Sequence, residues 1–179
     1  MKRAIRVVLL AAVGLWIVFT LVHRPTGIAP LAVGAVAPDP QLPALDGGLA
    51  PLRPPDARLT IVNFWATWCA PCVAEMPSLD RLHRALPGQG LVVVGVSVDE
   101  SEADVRDFVA RAGLRFPVRR DPGGRGVARA FGVEGYPTTF VIDAAGVVRE
   151  RYLGPARWDD PEALDHFRGL LSASTSPTR

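Results

Sequence analysis

Residues 7–22 form a run of sixteen uncharged, mostly apolar positions between a basic start (Lys2, Arg3, Arg6) and the His23-Arg24-Pro25 triplet. The apolar residues surround a helix on every side, which argues against a surface helix with one wet face. A regular pattern resumes at residues 59–65 (LTIVNFW), a short continuous apolar run bounded by Pro54-Pro55 and by Cys-Ala-Pro-Cys, and it predicts a buried strand. A helix is expected over residues 72–86 and a second buried strand over 91–98 (LVVVGVSV). Ser101 followed three residues later by Asp104 predicts a helix start, and Gly113 its end.

Further on, residues 116–119 suit a short strand, and 125–131 a short helix stopped by Gly132. Residues 138–142 and 147–152 flank the turn Asp143-Ala144-Ala145-Gly146 and predict an antiparallel hairpin. A last helix is expected over 161–171. Strand, helix, strand, helix implies a parallel core, and the closing hairpin makes the sheet mixed. The fold class is therefore α/β, a central mixed sheet flanked by helices, with one N-terminal transmembrane helix ahead of it.

Four segments follow: 1–24 as membrane anchor or signal, 25–55 as a proline-rich linker with a hairpin around Asp46-Gly47-Gly48, 56–171 as the domain, and 172–179 as a disordered tail. The apolar run lies between the ~7–15 residues of a cleaved signal and the ~17–25 of a spanning helix. The residues after it make a poor peptidase site, so retention as an anchor is expected. Lys2, Arg3 and Arg6 outnumber Arg24, which keeps the N-terminus in the cytoplasm and puts the domain on the extracytoplasmic, periplasmic side of the cytoplasmic membrane as a single-pass protein.

Composition changes this picture little. The net charge of +2 is carried by the anchor: four of the 20 basic residues precede residue 25, and the other 16 face 18 acids. A near-neutral domain with scattered arginines has no clustered basic face, which excludes nucleic acid as a partner.

The chemistry sits in Cys69-Ala70-Pro71-Cys72, between a strand and a helix. Unpaired amides and the helix dipole favour negative charge there, so Cys69 is expected to ionise readily and act as the exposed nucleophile beside Trp68, with Cys72 resolving. A purely stabilising disulfide is disfavoured, since closing so short a loop removes only about 2 kcal/mol of unfolded-state entropy. Structural zinc would need four ligands, and no second cysteine pair exists. Glu75, one turn past Cys72, is either a proton-handling carboxylate or a complement to the helix N-terminus; the residues alone leave these even.

Residues 63–77 (NFWATWCAPCVAEMP) resemble the active-site stretch of the membrane-anchored TlpA/ResA branch of thioredoxins, related to CcmG and DsbE. Residues 135–140 (GYPTTF) resemble the second signature of that family, and the likeness covers about 34–171. It implies a thioredoxin-like fold and a thiol-disulfide oxidoreductase that reduces disulfides of extracytoplasmic proteins, either apocytochrome c or copper-centre cysteines. It tips Glu75 towards a proton role, makes the Tyr136-Pro137 bond cis, and lets Tyr136 pair with a substrate chain. A membrane electron donor of CcdA or DsbD type is implied, and no cofactor. Asn63 stands where thioredoxin carries a buried aspartate.

Two rivals share the fold. A thiol peroxidase pattern would require Pro and Thr where Val62 and Ala66 stand. A copper chaperone of Sco type, with both cysteines as ligands, would lack its downstream histidine, none occurring between Arg84 and Asp165.

Overall fold

The computed structural model describes residues 12–19 and 29–173. The elements run β1 (Gln41–Pro43), β2 (Leu49–Pro51), β3 (Leu59–Trp65), α1 (Ala70–Ala85), β4 (Leu91–Ser97), α2 (Glu102–Ala112), β5 (Val118–Arg120), α3 (Val127–Ala130), β6 (Thr138–Asp143), β7 (Val148–Leu153) and α4 (Pro161–Ala173). The five-stranded sheet has the order β5-β4-β3-β6-β7, with β3, β4 and β5 parallel and β6 and β7 antiparallel. This is the thioredoxin-like arrangement, a mixed sheet flanked by helices.

All seven residues of β3 are buried, which explains a run without polar alternation: it is the central strand, covered on both faces. Its carboxyl end delivers the chain into the Cys-Ala-Pro-Cys segment. Gly95 in β4 is small for a reason. A methyl group there would lie 2.9 Å from Phe116 Cε2 and 3.0 Å from Trp65 Nε1.

Several expectations need correction. The first long helix begins at Ala70, two residues earlier than expected, because Pro71 fits a first turn whose amides have no intrahelical partner. β5 starts at Val118, since Pro117 offers no amide to the ladder. The helix expected over 125–131 shrinks to four residues, preceded by a 3-10 turn, Pro122–Gly124.

The proline-rich stretch is not a free spacer beyond residue 30. Leu31 N–H donates to Phe131 O, Gly34 N–H to Val148 O and Ala37 N–H to Gly146 O. The β1–β2 hairpin bridges to β5 through Ala44 and Arg119, and Leu52 is fully buried.

The expected anchor falls largely outside the described residues. Residues 12–19 are an exposed helical segment, and among the described residues no helix is long and apolar enough to cross a membrane. Of the tail expected over 172–179, the first two residues belong to α4 and the others lie outside the described residues.

Candidate active site

Cys69 is the N-cap of α1, in extended backbone conformation, and is joined to Cys72 by a disulfide. The Cys72 amide points at Cys69 Sγ from 3.3 Å, and the Val73 amide donates to Cys69 O at 3.0 Å. The first sulfur thus occupies the place where a helix N-terminus favours negative charge. Both cysteines are enclosed: Cys69 is 7% exposed and Cys72 0%. Cys69 is the more open of the two, though less exposed than the sequence led us to expect, because the loop before it folds back. Cys69 N–H donates to Ala66 O at 3.2 Å, and Thr67 is held by Asp99.

That hold is a buried knot. Asp99, 4% exposed, accepts from the Thr67 amide at 3.0 Å and the Thr67 hydroxyl at 2.6 Å, and the Ser97 hydroxyl donates to it at 2.7 Å. Trp68, the next residue, is 68% exposed and meets the Tyr136 ring edge-on at 5.9 Å. The Tyr136-Pro137 peptide bond is cis, and Pro137 is buried. Burial, and secondarily the charge of Asp121, raises the Tyr136 hydroxyl above its ordinary pKa.

Glu75 lies inside the protein, 3% exposed. Asn63 Nδ2 donates to its Oε1 at 2.8 Å, while the Ala156 amide and Trp158 Nε1 donate to Oε2 at 3.0 and 2.9 Å. Burial raises its pKa, and the donors from Trp158, Ala156 and Asn63 oppose that rise without cancelling it. Asn63 also donates to Thr139 Oγ1 at 2.8 Å, so it ties the central strand to both β6 and α1. Its placement inside a buried strand was a visible signal, as a buried polar side chain needs partners. Ala156, Trp158, Thr67 and Asp99 were missed; Trp158 reaches Glu75 from 83 positions away, and no local pattern marks such a pair.

The structure therefore brings Trp68, Cys69, Cys72, Tyr136 and Pro137 to the carboxyl end of the central strand, with Glu75 one turn into α1. Among the described residues no group of three or more His, Cys, Asp or Glu side chains is placed to hold a metal ion.

The AhpC/TSA family profile matches residues 33–151. The thiol-disulfide oxidoreductase ResA of Geobacillus kaustophilus is 37% identical over 162 residues, spanning 90% of this chain and 91% of that protein. The thioredoxin-like protein YneN of Bacillus subtilis is 36% identical over 124 residues, 68% of this chain and 71% of that one. Among solved structures, a thiol:disulfide interchange protein of the thioredoxin family from Chlorobium tepidum superposes with a TM-score of 0.65 at 28% identity, covering 81% of this chain and 99% of that one. A cysteine pair capping the helix after a central strand, in the fold and sequence these relatives share, identifies the chain as a member of the AhpC/TSA family and a thiol-disulfide oxidoreductase of ResA type.

Proposed function

We propose that the chain is a reductase of protein disulfides, tethered to the cytoplasmic membrane by residues 1–24 with its domain on the extracytoplasmic side. The observation that carries the reading is the Cys69–Cys72 pair at the start of α1, at the carboxyl end of the central strand of a thioredoxin-like sheet. In the reduced protein the Cys69 thiolate attacks one sulfur of the substrate disulfide. A mixed disulfide forms and a substrate thiolate leaves. Cys72, deprotonated, then attacks Cys69 Sγ, releases the second substrate thiolate and closes the Cys69–Cys72 bond. Two electrons pass to the substrate, and its two sulfurs take up two protons.

Glu75 is the group to receive the Cys72 proton. Burial raises its pKa above the ordinary carboxylate value, so it holds a proton more readily than a free carboxyl, and the charge it would otherwise carry disfavours a second negative charge nearby. Trp68, Tyr136 and Pro137 form the contact surface for the substrate chain, with the Tyr136 backbone pairing to it as a strand would. The substrates are cysteine pairs of apocytochrome c or of copper centres, and a membrane donor of CcdA or DsbD type returns the dithiol to its reduced state. The family likeness and the basic, apolar N-terminal sequence support these assignments.

Equilibration with a redox buffer tests the direction. A potential near thioredoxin's ~−270 mV fits a reductant, whereas one near ~−120 mV fits an oxidant and overturns the reading. In the same preparation Cys72→Ser is to accumulate a mixed disulfide with substrate, and Cys69→Ser is to lose turnover.

A further inference from the structure

Beside Pro137 a cavity of about 310 Å³ opens between the Glu134–Thr138 segment and the end of β7. Arg151 and Leu153 reach it from β7, with Gly154 at its margin. Leu153 is 70% exposed, a large apolar side chain left in water on the wall of this cavity.

The charges of β7 are satisfied within the fold except one. Arg149 pairs with Asp143 at 2.5 Å, and Glu150 is engaged by Tyr152 and His166, each at 2.7 Å. Arg151 is half-buried and, among the described residues, makes neither an ion pair nor a hydrogen bond. Its Nε is enclosed with no acceptor, and its guanidinium stands 5.8 Å from the centre of the Phe140 ring. Glu134, the acid on the same cavity, is exposed, so solvent screens it more than it screens the half-buried Arg151.

We propose that Arg151 is a specificity-determining residue: it receives a carboxylate from the polypeptide that carries the target disulfide, an aspartate or glutamate within a few residues of the attacked cysteine. The two terminal amino groups of the guanidinium match a carboxylate in two parallel hydrogen bonds, while the enclosed Nε stays behind them. Leu153 and the Pro137 ring supply an apolar wall against which the methylene groups of that residue pack. The preferred substrates are thus disulfides in acidic segments, and a lysine in the same place is repelled. This rests on the reductase reading, since the cavity matters only if a substrate chain passes Pro137.

The test uses the full-length reduced protein and a series of oxidised peptides, each with one Cys-x-x-Cys disulfide and with Asp, Asn or Lys at each of the four positions on either side. The readout is the ratio of kcat/KM for the Asp and Lys peptides at each position, which is internal to a variant and cancels a general loss of folding or activity. For the unmodified protein we expect a ratio of about tenfold at one position or two adjacent ones. Arg151→Gln is to bring it to about one, Arg151→Lys to keep most of it, and Arg151→Glu to turn it below one. Equal rates along the series, or a preference that survives Arg151→Gln, overturn the assignment of Arg151 and leave the reductase reading standing. If bis(2-hydroxyethyl) disulfide is reduced but no peptide is, the reductase reading fails and this inference with it.

Discussion

Glu75 is a carboxyl group with three hydrogen-bond donors, no ion pair among the described residues and almost no exposed surface, and burial outweighs the donors in setting its pKa above the ordinary 4.5. The sign of the consequence is fixed. A proton bound more tightly in the folded state than in the unfolded one stabilises the fold below the unfolded pKa, and that contribution is lost as pH rises through the folded value. Each unit between the two values is worth about 1.4 kcal/mol. Urea denaturation across a pH series, in the oxidised protein, is therefore to show Glu75→Gln gaining on the unmodified protein as pH rises out of the ordinary carboxylate range. Parallel curves would mean that Glu75 is ionised as easily inside the fold as outside it. The same residue shows where sequence reading stopped: one turn of helix links Glu75 to Cys72 on paper, but its burial depends on Trp158, which nothing near residue 75 announces.

At the scale of elements, strands and caps were legible where one local rule decides them. Ser101 caps α2 by accepting from the Asp104 amide, Gly113 ends it at a φ of 64°, and the Asp143–Gly146 turn joins β6 to β7 as its residue types demand. Boundaries moved where tertiary contacts decide. Asp121 accepts from the Gly126 and Ala128 amides, which fixes the turn before α3 and shortens the helix. The loop that presents Trp68 and Cys69 is of this second kind, since Asp99 at the end of β4 fixes it through Thr67. Asp99→Asn puts an amide nitrogen where donors now converge, at least one of which loses its acceptor, and an unmet buried donor costs on the order of 1–3 kcal/mol. Thermal unfolding should reveal that loss. In the folded variant the Trp68 fluorescence should shift as the side chain loses its fixed setting against Tyr136. An unchanged melting temperature and spectrum would show that the loop is held by its own backbone bonds.

Across the whole molecule, the stretch before β3 has a different place from the one its composition suggests. Prolines, glycines and small residues describe reach, because each disfavours regular structure, yet from Leu31 onward the chain is hydrogen-bonded to Phe131, to the β6–β7 hairpin at Gly146 and Val148, and to Val118 of β5. Asp39 binds Arg53 across the hairpin by backbone and side chain, at 2.9 and 3.0 Å, and Arg53 Nη1 reaches Asp143 O at the end of β6. Leu52 is the apolar centre of this arrangement, with no exposed surface, and its amide donates to Pro40 O. If the segment is part of the cooperative unit, Leu52→Ala leaves a cavity that the packed sheet cannot fill and destabilises the domain by about 2–5 kcal/mol. The loss is to appear as a single, earlier urea transition, seen alike by tryptophan fluorescence and by circular dichroism. A variant with an unchanged midpoint, or two separated transitions, would mean that the hairpin only rests on a domain that is complete without it.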